Sequence, residues 1–296
     1  MFNSTKGERW YRIVFSVPDF ELRQGKRYPL SFDLIADYDK YLKNNFFGIG
    51  NHSQSRSREV YTKEPLEIQA VLSRGFSSQF VGQVGVKFKT VRNFNASSTG
   101  LFMQSLPQVN HGRSGGLTFF SSFRYDSRNS FVNPSEGNVA QLDLEAGTSG
   151  LVSDYSLKSA TVSLQTYHVL FYPKTIFAAR LLGQAIGGTN LPVHTYASLG
   201  GNKTLRGYPQ DRFLDRVALL SNAEVRFPLV WRFNGILFAD AGRVWGSVDA
   251  VSILSRGWRA NLGFGLRLLM DTFVVRADFG LSREGSGFYF NFGHAF

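Results

Sequence analysis

The 296-residue sequence contains no cysteine, which excludes a disulfide framework, a thiolate metal site and any cysteine nucleophile. It also lacks an apolar run of the roughly 18 residues that a membrane-spanning helix needs, because charged or amide residues interrupt every stretch. A helical membrane protein is excluded. Proline is scarce, at 9 residues, and acidic residues are outnumbered, with 22 Asp and Glu against 33 Lys and Arg for a formal net charge of +11. A basic chain suits nucleic acid when its cations cluster. Here they are scattered singly through strand-like segments such as Gln83-Val84-Gly85-Val86-Lys87-Phe88-Lys89, where they recur at every second place. A polar barrel interior or contact with anionic lipid head groups accounts for this charge, and no nucleic-acid partner is inferred. The first residues, Met1 to Gly7, lack the basic segment, apolar core and cleavage site of a secretory signal. For a secreted protein this implies a mature or trimmed chain, or a fragment.

Catalytic constellations are missing as well. The five histidines are His52, His111, His168, His194 and His294, and no His-Glu-x-x-His, Gly-x-Ser-x-Gly or Gly-x-x-x-x-Gly-Lys pattern occurs. The chain reads as a non-enzyme with no cofactor and no metal. His168 reads as a structural strand residue, and His52 and His111 as solvated loop residues. A barrel-embedded lipase with a Ser-His pair is the enzymatic alternative.

What the sequence does have is 28 Phe, 12 Tyr and 30 Gly, a mixture suited to strands and tight turns. The dominant periodicity is two. In Arg259–Leu268, the positions Arg259, Asn261, Gly263, Gly265 and Arg267 alternate with Ala260, Leu262, Phe264, Leu266 and Leu268, which puts polar groups or glycine on one strand face and apolar groups on the other. The same pattern sets Val275, Ala277, Phe279 and Leu281 against Arg276, Asp278 and Ser282. Segments of this kind predict thirteen strands, near residues 10–22, 28–39, 63–75, 79–92, 115–127, 137–147, 156–171, 175–186, 216–227, 233–245, 258–269, 273–283 and 287–296. Tight links such as Arg23-Gln24-Gly25-Lys26 alternate with long loops at 93–114 and 187–215, as in outer-membrane barrels.

A soluble β-sandwich shows the same alternation. Two features favour a transmembrane antiparallel β-barrel. The second face of nearly every strand carries enough Arg, Asn, Gln, Asp and Gly to line a wet lumen. The chain also ends on the aromatic row Phe288, Phe290, Phe292 and Phe296, broken by His294, an edge that a soluble protein rarely exposes. No linker or composition shift divides the sequence, so residues 1–296 read as one domain, with 1–27 of uncertain status.

The segment Leu199-Gly200-Gly201-Asn202-Lys203-Thr204-Leu205-Arg206-Gly207-Tyr208 resembles the Arg-Gly-Phe/Tyr loop of the bacterial surface-antigen and barrel-assembly family, which includes BamA, TamA and the two-partner secretion transporters. It is followed in the family's order by Ala223-Glu224-Val225-Arg226-Phe227-Pro228 and by Phe238-Ala239-Asp240-Ala241-Gly242-Arg243-Val244-Trp245. Phe46-Phe47-Gly48-Ile49-Gly50-Asn51 and the stretch from Tyr125-Asp126-Ser127-Arg128-Asn129 to Gly137 also resemble family segments. The likeness implies an outer-membrane location among lipids, with client outer-membrane proteins or periplasmic factors as partners. It implies a role in inserting or passing proteins, with a passive channel or structural membrane anchor as the alternative. Family barrels have sixteen strands preceded by POTRA domains. This sequence has room for about eight strands before the loop instead of eleven, and no POTRA-like stretch. The expectation is therefore about 12 to 14 strands, with a twelve-strand or incomplete barrel favoured because thirteen is odd.

Three groups of residues stand out. Gly200, Gly201, Leu205, Arg206, Gly207 and Tyr208 form the loop, expected to fold into the lumen. Glu224 and Asp240 point inward by alternation, and a carboxylate among Ile236 and Phe238 needs a cationic partner; Arg206 from the loop is expected to bond Asp240, with Glu224 near enough to share its guanidinium, and Arg226 on the neighbouring strand is the alternative. Phe288, Phe290, Phe292 and Phe296 are expected to face lipid and to serve as the insertion signal.

Overall fold

The computed structural model describes residues 2–3, 7–22, 27–170 and 174–296; the 23–26 turn lies outside them. The chain is built from strands β1 (Phe2–Asn3), β2 (Arg9–Val17), β3 (Ser31–Phe46), β4 (Glu59–Gly75), β5 (Phe80–Phe94), β6 (Arg113–Asp126), β7 (Gly137–Gly147) and β8 (Leu157–Val169). These continue into β9 (Ile176–Gly187), β10 (Ala197–Leu199), β11 (Phe213–Asp215), β12 (Val217–Pro228), β13 (Phe233–Trp245), β14 (Arg259–Leu269), β15 (Val274–Ser282) and β16 (Gly285–Phe292). All except β10 and β11 form one antiparallel sheet in chain order, with β12 beside β9. No described helix is long and apolar enough to cross a membrane, which leaves crossing by strands open.

The thirteen segments anticipated from alternation are the thirteen long strands, eight before the loop and five after it. The preference for twelve is corrected: the 10–22 segment does contribute a strand, paired with β3 from Arg9↔Lys40 to Val17↔Phe32. Lengths differ more than anticipated, from 17 residues in β4 to 8 in β16. The strand placed at 28–39 runs on to Phe46 through a register shift between Tyr41 and Asn44. A bulge of this kind absorbs an extra residue and breaks the simple alternation there.

The sheet curls on itself. Arg212, in the 188–216 loop, donates both to Ser53, between β3 and β4, and to Glu284, between β15 and β16. One guanidinium thus holds elements from opposite ends of the strand order together. Arg259 of β14 likewise donates to the Asn51 carbonyl at 2.7 Å. Among the described residues β16 pairs with β15 alone.

Period two then sorts the side chains. Ile13, Phe119, Leu262, Phe264, Phe288, Phe290 and Phe292 are exposed on the outer face, forming the apolar surface that hydrocarbon requires. The inner face carries Gln69, Gln83, Lys87, Gln141, Asp143, Glu145, Thr161 and Gln184 around a cavity of about 360 Å³, with Lys87 and Glu145 ion-paired across it at 2.6 Å.

Phe296 departs from the expected aromatic row. The ladder stops at Phe292, and Gly293 adopts φ 78°, a left-handed conformation that glycine reaches without a Cβ clash. The chain turns there, and Phe296 packs inside against Val139, Tyr167 and Ala178. The expectation that it faces lipid is corrected, while Phe288, Phe290 and Phe292 remain outward.

The two faces should answer differently to charge. Leu262→Arg should destabilise the folded protein in bilayers by about 2–4 kcal/mol if it sits near mid-membrane. Thr161→Arg, whose cross-strand partner is Asp143, should be nearly neutral. Denaturant titration into lipid vesicles measures both, and equal losses would contradict this assignment of faces.

Candidate functional site: a lumen loop locked to the wall

The 188–216 loop is an internal structure with its own order. Its ends form a ribbon, β10 against β11, with Ala197↔Asp215 and Leu199↔Phe213 in register. Leu191, Ala197, Leu199, Leu205, Tyr208 and Phe213 pack with Ile186, Leu220 and Val244 of the wall, and Val193 and Leu214 join Phe46, Tyr61, Phe102 and Leu106. Burying each large apolar side chain contributes about 1.5–3 kcal/mol, so the loop is held by a core of its own before any charge is considered. The Phe46–Asn51 segment seats it from the opposite side, with Gly50 donating its amide to the Leu214 carbonyl at 2.7 Å.

At the tip the backbone tightens. Gly200 and Gly201 have φ of 118° and 89°, and Thr204 Oγ1 both accepts from the Gly200 amide and donates to its carbonyl, each at 2.8 Å. Tyr208 donates its amide to the Leu205 carbonyl at 3.0 Å. This turn presents Arg206 to the wall formed by β12–β15.

Arg206 is fully buried. Its Nε and Nη2 donate to Asp240 Oδ2 and Oδ1 at 2.9 and 2.7 Å, and its backbone amide to Oδ2 at 3.2 Å. Nη1 donates to Glu224 Oε1 at 2.5 Å and lies 3.6 Å from Asp278 Oδ2. The guanidinium carbon stands 3.5 Å from the centre of the Phe238 ring. Burial alone would lower the Arg206 pKa, yet Glu224 and Asp240 raise it above its ordinary value, so the group stays a cation. A bidentate fork of this kind is what arginine supplies and lysine does not.

The acids are satisfied in turn. Asp240 also accepts from Asn222 Nδ2 at 2.7 Å and Asn261 Nδ2 at 2.9 Å. Glu224 Oε2 accepts from Arg226 Nε at 2.9 Å, and Asp278 accepts from Arg267 and Arg276 at 2.5 and 3.2 Å. The loop's own carbonyls are gripped as well: Asn222 donates to Thr204, Arg276 to Asn202, Ser282 to Gly207 and Tyr289 to Tyr208.

The structure thus brings Gly200, Gly201, Leu205, Arg206, Gly207 and Tyr208 together with Glu224 and Asp240. Arg226 binds Glu224 rather than Asp240. Phe288, Phe290 and Phe292 lie elsewhere, on the outer face. Sequence reasoning missed Asp278, Asn222, Asn261 and Arg212 as parts of the lock. Alternation placed Asp278 on a polar face, but only the β14–β15 register shows what it meets. Glycines facing the loop were also missed: a Cβ on Gly280 would lie 2.5 Å from the Arg206 carbonyl oxygen, and one on Gly287 2.6 Å from it.

A curled antiparallel sheet with an apolar exterior, a polar interior and an arginine loop locked within defines a transmembrane β-barrel of the outer-membrane type. The chain belongs to the Omp85 superfamily, whose domain model matches residues 3–296. Among solved structures it is similar to BamA of Haemophilus ducreyi lacking POTRA domains 1–3, with a TM-score of 0.70, 13% identity, 96% of this chain covered and 61% of the other. It is also similar to CdiB from Acinetobacter baumannii, with a TM-score of 0.55, 16% identity, 95% of this chain covered and 49% of the other. The chain therefore spans less than two thirds of either. No curated protein matches it in sequence.

Two outcomes follow from this geometry. Arg206→Ala and Asp240→Ala should each cost about 3–5 kcal/mol, because each strands a buried charge. The double variant should lose much less than the sum of the two; additive losses in chemical denaturation would contradict the pairing. Separately, Gly280→Ala should cost about 1–3 kcal/mol through overpacking. Gly150→Ala, where an added methyl meets nothing within 4 Å, serves as the neutral comparison. Equal thermal shifts for the two glycine variants would rule out the close approach of loop to wall.

Proposed function

We propose that the chain is the barrel of a protein-assembly or protein-translocation component of the bacterial outer membrane, acting without catalysis on client outer-membrane proteins together with periplasmic factors. The observation that carries this reading is the Arg206–Asp240–Glu224 lock. A simple pore gains nothing from a long loop that folds into its lumen and joins walls from both ends of the strand order. A component that must hold one part of its barrel fixed while another part meets a client does gain from it. The likeness to BamA and CdiB supports the same class of work.

The role of Phe288, Phe290 and Phe292 as an insertion signal belongs to this proposal. Their outward position on β16, whose other edge makes no strand pairing among the described residues, makes them available to an assembly partner. Phe296, turned inward, is better suited to holding the terminus against Tyr167.

The test is reconstitution. The folded chain in lipid vesicles should speed the insertion of an unfolded outer-membrane client relative to empty vesicles, read by the protease-protected fraction. Arg206→Lys, which keeps the charge and loses the fork, should reduce that gain by about tenfold or more, the scale of one or two lost hydrogen bonds. Vesicles that conduct ions freely but insert clients no faster than empty ones would favour the passive channel instead.

A further inference from the structure

We propose that the outer face of β2–β6 holds the phosphate head group of an anionic membrane lipid, bound by Arg9, Lys40, Arg92 and Arg113 in the leaflet on the loop side of the barrel. Register places these cations in one row. Arg9 of β2 lies opposite Lys40 of β3, Glu64 of β4 opposite Arg92 of β5, and Arg92 opposite Arg113 of β6. Lys40 falls opposite Glu64 by the pairing on either side, Tyr38↔Leu66 and Tyr41↔Lys63. The face is the outer one, because Glu67 and Lys89, of opposite parity on β4 and β5, line an interior cavity. Side-chain contacts agree: Lys40 Nζ lies 5.8 Å and the Arg92 guanidinium 5.0 Å from the centre of the Phe94 ring.

Charge in this row is unbalanced. Arg9↔Lys40 and Arg92↔Arg113 are like-charge cross-strand pairs, an arrangement that destabilises a sheet unless an anion lies between the partners. The row's own carboxylate, Glu64, accepts from Tyr38 Oη at 2.5 Å and stands 4.0 Å from Arg92 Nη1. Two further carboxylates flank its ends. Glu8 adjoins Arg9 in the chain, and Asp154 accepts from the Gly115 amide at 2.7 Å, one row below Arg113. Arg9, Lys40 and Arg113 make no ion pair among the described residues, and the Arg92 side chain is 55% exposed.

The row stands where head groups lie. Below Lys40 the same face of β3 carries Tyr38, Ala36, Leu34 and Phe32, about 27 Å of strand, and the neighbouring strands match it with Ile68, Phe88 and Leu117 in register. With the strands tilted, that length covers most of a barrel's apolar band. Tyr11, stacked on Tyr38 at 6.0 Å, marks the band's border, where amphipathic rings collect. Lipid tails cover the band, so the cations directly above it meet lipid head groups. A phosphate matches both the guanidinium fork and the ammonium point charge. The two like-charge pairs are three strand spacings apart, about 14 Å, which gives the row two phosphate positions with Glu64 between them.

The experiment uses the full chain, folded in a maltoside detergent, with native mass spectrometry to count bound lipid. Dioleoyl phosphatidic acid should bind saturably and about tenfold or more tighter than dioleoyl phosphatidylcholine, whose choline offsets the phosphate charge. Arg92→Gln combined with Arg113→Gln should weaken phosphatidic acid binding by about tenfold or more, and so should Arg9→Gln combined with Lys40→Gln. Lys158→Gln, which removes an exposed cation of β8 outside the row, should leave binding unchanged. Faster migration on unboiled gels checks that each variant is folded, and if one double variant fails to fold, the other carries the test. Equal affinity for the two lipids, or a loss with Lys158→Gln equal to that of the folded double variant, would overturn the proposal. Displacement of the lipid by inorganic phosphate at equal concentration would also overturn it, by showing a site for the free anion.

Discussion

The structure depends on a single buried cation. Arg206 lies on a loop rather than on the wall, so every bond it makes to Asp240 and Glu224 ties the loop to β12 and β13. A charge removed from water is costly, and the cost falls only when partners and geometry are both in place. That condition fixes the turn at Gly200 and Gly201, which carries the arginine inward. It also requires hydrogen atoms in place of side chains at Gly280 and Gly287, where the loop backbone approaches the strands. The surrounding amides Asn222 and Asn261 complete the coordination of Asp240. The lock is directional and all-or-none, whereas the apolar packing of Leu199, Leu205 and Phe213 beneath it would tolerate small shifts.

The same loop sets the shape of the lumen. Arg212 joins the β3–β4 connection to the β15–β16 turn, so a displacement of the loop would release both sides of the barrel together. The wall opposite the lock is lined by amides and paired charges, such as Lys87 with Glu145 and Lys89 with Glu67. Packing and charge are thus segregated within one interior: an apolar and ionic clamp on the β12–β15 side, and a wetter compartment on the β4–β8 side.

Much of this is legible in the sequence alone. Period-two alternation located all thirteen long strands, because membrane strands must put one face in lipid and the other in the lumen. Inward positions for Glu224 and Asp240 followed from the same count. Three things were not legible. The ends of β3 and β4 were hidden because Asp37-Tyr38-Asp39-Lys40 and the bulge after Tyr41 mask the pattern where the strands extend past their apolar part. Phe296 was misplaced because the backbone reversal at Gly293 depends on a φ that no side-chain pattern reports. Asp278, Asn222 and Asn261 were overlooked because their meeting with the loop rests on register between distant strands, whereas alternation within one strand gives only the face.

The most direct test of the account is to observe the Arg206–Asp240 fork in a lipid bilayer. Solid-state NMR on protein with nitrogen-labelled arginine and carbon-labelled aspartate, assigned by comparison with Arg206→Lys, measures dipolar coupling between the guanidinium nitrogens and the Asp240 carboxyl carbon. The account predicts a coupling that corresponds to less than about 4 Å, as a bidentate ion pair requires, together with slow exchange of the Arg206 Nε proton. An Arg206 signal with no carboxylate coupling and rapid solvent exchange would contradict it.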